Sequence, residues 1–203
     1  MPDPTTLFLI RHGQTDWIGQ GIAGRQPGVH LNVEGRAQAT RLADRMRRLP
    51  IRAIYSSPLE RTQETAAPLA QALDLEVRPC AEAVELDFGE WVGRPFAALG
   101  EDPRWRAFNS HRSLSRAPSG ELMPEVQTRI VTAITRIRAA HPGEAVALFS
   151  HGDVIRAAVA YLAGVPIDLF LRIEIRPASI SSVRFYDDSL LILGVNDTGE
   201  LYT

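Results

Sequence analysis

Hydrophobic and polar positions along this chain alternate between two periods. Leu7 to Ile10, "IRAIYSS" from Ile51 and "AVALFS" from Ala145 are short apolar runs of the kind that fill strands buried on both faces. "EVRPC" from Glu76 reads as a shorter strand. Between these runs the spacing becomes helical. Gly35, Ala39, Leu42, Met46 and Leu49 share one face and stop at Pro50, while Val126, Ile130, Ala133, Ile134 and Ile137 form a second stripe. "HGDVIRAAVAYLAG" reads as a helix closed by Gly164. In "SPLERTQETAAPLAQALDL", Ser57, Pro58 and Glu60 read as a capping box that starts a helix, and Pro68 is expected to kink or break it. From Ala83 to Pro118 the periodicity dissolves into a lid-like excursion with short helices. "SISSVRFYDDSLLILGVND" predicts two strands joined at Asp187-Asp188. Strands alternating with helices predict an α/β three-layer sandwich: a central, mostly parallel sheet, helices on both faces and an antiparallel edge hairpin. One domain over residues 1–203 is expected.

Composition narrows the chemistry. All 22 basic residues are arginine, so mechanisms that need a lysine, such as Schiff bases, pyridoxal phosphate anchors and P-loops, are excluded. An anion site must then use arginine forks, histidines and backbone amides. A net charge of −2 gives no reason to expect nucleic acid or a membrane surface as partner. No apolar run approaches a membrane span, and "MPDPTT" lacks the features of a secretory signal, so a cytoplasmic location is expected. The single cysteine, Cys80, excludes an internal disulfide and any multi-cysteine metal site. No stripe stands out as an interface, which leaves the oligomeric state open, a homodimer included.

Three of the strands end in polar residues. Leu7–Ile10 runs into Arg11-His12-Gly13, Ile54-Tyr55 into Ser56-Ser57 and Arg61, and Val146–Phe149 into Ser150-His151-Gly152. In a parallel sheet the carboxyl ends of strands share one edge, so Arg11, His12, Arg61 and His151 should converge there. Two arginines and two histidines near helix amino termini suit a phosphoryl group. An inert anion pocket needs no histidine at its centre, whereas phosphoryl transfer does, because neutral imidazole is a competent nucleophile toward phosphorus. A leaving alcohol also needs a proton. Glu85, among Val84, Leu86, Phe88 and Trp91, is the candidate, with Glu82, Asp87 and Glu90 as rivals that spacing does not eliminate.

"LIRHGQT", "SSPLERTQETA", "ELDFGEWVG", "PSGE" and "SHGDVIRA" resemble, in order, the signatures of the histidine phosphatase superfamily, the phosphoglycerate mutase-like group. The resemblance spans Leu7 to about Asn196. It implies His12 as a phosphorylated nucleophile, Arg11, Arg61 and His151 as the phosphate pocket, and Glu85 as proton donor, with no metal or other cofactor. It also implies Gln14 and Thr15 at the pocket edge, with Gly13 and Gly152 bringing backbone close to the phosphate. The pattern departs at Ile18, where the family often has asparagine, and in lacking the glutamate-arginine-tyrosine segment and extended tail of the glycolytic mutases. Those departures favour a phosphatase of a small phosphorylated metabolite over a phosphomutase. A non-catalytic phospho-ligand module is the third expectation, disfavoured because all five pocket positions are filled. His30 and His141 read as loop and helix-end groups, and His111 as a solvent-exposed residue with substrate contact as the alternative. The arginines at 25, 94, 104, 106, 112 and 116 either steer an anionic substrate or form a solvated surface, the latter at least as well supported for most of them.

Overall fold

The apolar runs form a single six-stranded sheet in the computed structural model, which describes residues 3–199; the ends of the domain expected over 1–203 lie outside them. The strands are β1 (Thr5–Arg11), β2 (Ile51–Ser56), β3 (Val77–Pro79), β4 (Ala145–Ser150), β5 (Ile180–Phe185) and β6 (Leu190–Asp197). Their order is β3-β2-β4-β1-β5-β6, with the first four parallel and β5 and β6 antiparallel at one edge. Central β1 pairs with β4 from Thr6↔Ala145 to Arg11↔Ser150.

Side-chain alternation along the central strands builds two cores. Leu7, Leu9, Val146 and Leu148 pack toward helices α5 (Met123–Ala140) and α6 (Gly152–Leu162). Ile10, Ala147 and Phe149 pack toward α1 (Val33–Met46) and α2 (Glu60–Leu73) on the opposite face. The expected stripes are the buried ones, Ala39, Leu42 and Met46 on α1 and Val126, Ile130, Ala133, Ile134 and Ile137 on α5. Each Leu, Met, Val or Ile of these stripes contributes about 2 kcal/mol by leaving water.

Two expectations at α2 are corrected. The helix starts at Glu60, with Leu59 at its N-cap and no side-chain cap. Ser57 lies one residue beyond β2, where its N–H donates to the Phe149 carbonyl at 2.9 Å, and its hydroxyl is committed to His151. Pro68 does not break the helix, which continues to Leu73.

A 3-10 turn at Ala81–Ala83 leads into the excursion, which holds a second at Gly89–Trp91, then α3 (Phe96–Leu99) and α4 (Pro103–Ser110). Its aromatic residues join the core on the α5–α6 face: Trp91 and Phe108 are fully buried, with ring centroids 5.1 Å apart. Backbone hydrogen bonds tie this segment to the loop after β1, Ile22 N–H to Arg94 C=O and Phe96 N–H to Gln20 C=O. Among the described residues no helix is long and apolar enough to cross a membrane.

Candidate active site

Strands β2, β4 and β1 are neighbours, so their carboxyl ends deliver Ser57, His151 and His12 to one edge. The ladders extend one residue past the strands to fix them: His12 N–H donates to the Ser150 carbonyl at 3.0 Å, and Ser57 N–H to the Phe149 carbonyl. The two imidazoles then lie with ring centroids 5.3 Å apart. Nδ1 of His12 is 2.7 Å from the Gly13 carbonyl oxygen. A carbonyl only accepts, so Nδ1 carries the proton and Nε2 presents its lone pair. Burial, then Arg61 and Arg11, hold the His12 pKa well below the ordinary histidine value. The imidazole is therefore neutral near pH 7.

Arg61 is buried and Arg11 partly buried, and each is half-anchored. An Nη of Arg11 donates to the Ile175 carbonyl at 2.6 Å, and one of Arg61 to the Gly24 carbonyl at 2.7 Å. The Nε of Arg11, the Nη1 of Arg61 and the Nδ1 of His151 are buried without any hydrogen-bond partner. Leaving a buried polar group unpaired costs about 1–3 kcal/mol, more for a charged one, so three such groups around one imidazole need an explanation. Arg11 and Arg61 line a cavity of about 260 Å³ with His12, Thr15 and Gly152, and His151 lies behind it, 5.3 Å from His12 between ring centroids.

The Glu85 carboxylate reaches the same cavity, with Oε2 3.9 Å from Nδ1 of His151. Burial, with Asp153 nearby, raises its pKa to about 6. Its backbone is held by a polar brace: the Glu85 carbonyl accepts from Arg25 Nε at 2.8 Å and from Arg129 Nη2 at 3.1 Å. Glu121 in turn accepts from both arginines and from Asp87 N–H. The rivals face elsewhere: Glu82 pairs with Arg136, Asp87 with Arg25, and Glu90 with Arg104.

Arg11, His12, Arg61, Glu85 and His151 are thus brought together, with Thr15 and Gly152 beside them. Gln14 is not. It lines a separate cavity with Gln38 and Arg41, because Gln14 N–H donates to Gln38 Oε1 and its carbonyl accepts from Asn32 N–H. Gly13 is close to helix α1 rather than to the pocket: a Cβ there would lie 2.7 Å from the Gly35 carbonyl oxygen. At Gly152 a Cβ would press on the Arg11 guanidinium at 3.3 Å.

Sequence reasoning misses several contributors. Ser57 Oγ lies 2.8 Å from Nε2 of His151, and Thr65 Oγ1 accepts from Gly13 N–H at 3.0 Å. Both stand inside "SSPLERTQETA", the only available signal. Arg112, expected on the solvated surface, is 3% exposed and lines the cavity. Its guanidinium lies 3.9 Å from the centroid of Phe108 and 5.1 Å from that of Phe170. His30 and His111 are exposed, and His141 is a buried C-cap within 3.0 Å of the Tyr55 hydroxyl.

Comparison with known proteins is consistent with this geometry. The profile of the histidine phosphatase superfamily (branch 1) matches residues 7–198. A bifunctional protein of Mycobacterium tuberculosis is 33% identical over 201 residues, covering 98% of this chain and 55% of that protein. The chain therefore spans about half the length of the mycobacterial relatives it matches. The probable phosphoglycerate mutase GpmB of Citrobacter koseri is 32% identical over 190 residues, covering 93% of this chain and 88% of that one. Among solved structures, phosphoserine phosphatase of Entamoeba histolytica in complex with 3-phosphoglyceric acid superposes with a TM-score of 0.86 at 25% identity, covering 95% of this chain and 97% of the other.

Proposed function

This chain belongs to the histidine phosphatase superfamily, and from that premise we propose that it hydrolyses phosphate monoesters through a covalent phosphohistidine on His12. The observation that carries the proposal is the set of three unpartnered buried groups, Arg11 Nε, Arg61 Nη1 and His151 Nδ1, around an imidazole held neutral. A bound phosphoryl group satisfies all three. Ser57 Oγ lies 2.8 Å from Nε2 of His151; in the tautomer this reading requires, the hydroxyl donates to Nε2 and the proton on Nδ1 is available to a phosphoryl oxygen.

In the first half-reaction Nε2 of His12 forms a bond to phosphorus as the ester P–O bond breaks. Protonated Glu85 gives its proton to the departing oxygen, and the alcohol leaves. In the second, Glu85, now a carboxylate, takes a proton from water as the water oxygen attacks phosphorus. The N–P bond breaks, inorganic phosphate forms, and both side chains return to their starting states. No step uses a metal ion. A phosphomutase shares the first half-reaction and returns the phosphoryl group to a second hydroxyl instead of water.

Phosphate release from nitrophenyl phosphate in the presence of a metal chelator tests the reading. The wild type should turn over and His12→Ala should lose about a thousandfold or more. No turnover by the wild type, or full turnover by His12→Ala, contradicts it, and isomer exchange without release identifies the mutase instead.

A further inference from the structure

The lining of the cavity is apolar as well as anion-binding. Trp17, Ile18, Phe96, Trp105 and Leu171 line it with His12, and Phe96 and Leu171 are 39% and 42% exposed. Scattered surface hydrophobics are ordinary, but these five converge on one opening. Their positions are fixed in advance. Trp105 meets Trp91 edge-on at 5.1 Å, stacks on Phe108 at 6.0 Å and touches Phe96 at 6.3 Å. The bonds from Gln20 and Ile22 to the start of α3 hold the Trp17–Ile18 loop against the same wall.

The charged groups of the lining other than those around His12 are largely matched. Nη1 and Nη2 of Arg112 donate to Asp153 and Asn109, and its remaining Nε is buried within the Phe108–Phe170 stack. Arg156 donates to the Ile173 carbonyl and to Asp153, with Glu174 beside it. The two cations thus face two carboxylates. Among the described residues lining the cavity, Arg11, Arg61 and Arg112 each keep one unpartnered buried N–H, but Arg112 is already paired with Asp153 and lies against the Phe108 ring.

We propose that the preferred substrates are phosphate monoesters whose alcohol carries an aromatic or bulky apolar group, seated against Trp17, Ile18, Phe96, Trp105 and Leu171. This rests on the hydrolase reading above. An aryl-alkyl group gains burial and ring contacts there, whereas the carboxylate of a phosphorylated hydroxy acid or amino acid meets Asp153 and arginines that Asp153 already pairs.

Matched leaving groups separate recognition from chemistry. Phosphate release is measured from phenylpropyl phosphate, glycerol phosphate, phosphoserine and phosphoglycerate, all esters of alkyl alcohols. Phenylpropyl phosphate should have the highest kcat/KM, by about tenfold or more, chiefly through a lower KM. Phe96→Ala and Leu171→Ala should each raise KM for phenylpropyl phosphate more than for glycerol phosphate. Leu114→Ala, at an exposed apolar position that does not line the cavity, should leave the ratio unchanged. Phosphoserine or phosphoglycerate as the best substrate overturns this proposal and leaves the hydrolase reading intact, as does an apolar preference that survives the Phe96→Ala, Leu171→Ala double variant. Release from none of the four overturns the hydrolase reading itself.

Discussion

His12 and Glu85 are both driven toward neutrality by the same burial, with opposite consequences for when each is active. The lowered His12 pKa keeps the proposed nucleophile neutral below the ordinary histidine range, so its protonation should limit the rate only in acid. The acid form of Glu85 is present below its raised pKa of about 6 and is lost as pH rises through it. A bound phosphate dianion shifts that loss further upward by repulsion. For an alkyl ester, kcat should therefore fall on the alkaline side, by about tenfold per pH unit, because the departing alkoxide needs the proton. Glu85→Gln should flatten that limb and slow alkyl esters far more than nitrophenyl phosphate, whose leaving group hardly needs a proton. An alkaline limb unchanged in Glu85→Gln would assign the acid to another group. At this scale Arg11, His12, Arg61 and His151 are legible in sequence because each follows a recognisable strand. Glu85 needs the fold to separate it from Glu82, Asp87 and Glu90, since only burial distinguishes the four. Arg112 is invisible beforehand: its partners Phe108, Asp153 and Phe170 come from three elements with no shared period.

The site depends on helices that approach loops closely. Gly35 is the clearest case, inside α1 yet packed on the loop after β1, where a Cβ would fall 2.0 Å from the Gln14 carbonyl oxygen. Helix propensity alone favours Gly35→Ala by about 1 kcal/mol. The overlap with rigid backbone outweighs it, and a loss of about 3 kcal/mol is expected. For a chain of this length that is about 10 °C in Tm. Gly100→Ala, whose Cβ would meet nothing closer than 3.7 Å, should stay within about 0.5 kcal/mol. Thermal unfolding of the two variants checks both, and equal Tm values would show that α1 shifts freely from the loop. Helical stripes on α1, α5 and α6 are legible because one face of each is buried. The start of α2 is not, because the serine that resembles a cap is more strongly engaged by a histidine from β4.

Across the whole molecule, the strand order turns distant segments into one site. Residues 12, 57 and 151 meet because β2, β4 and β1 are adjacent and parallel. The α/β class and the antiparallel edge pair follow from the alternation of strands and helices. Which strand neighbours which does not, because the β1–β4 pairing joins segments separated by most of the chain and apolar runs carry no label for their partners. The same convergence lets the proposed nucleophile and proton donor come from unrelated segments, and the covalent intermediate is what that proposal turns on. Intact mass of Glu85→Gln, quenched during turnover of nitrophenyl phosphate, measures it directly: loss of the base that activates water should let the phosphoenzyme accumulate. The expected result is an acid-labile phosphoryl adduct that maps to His12 and is absent from the His12→Ala, Glu85→Gln double variant. Turnover with no adduct, or an adduct on any other residue, would contradict the mechanism.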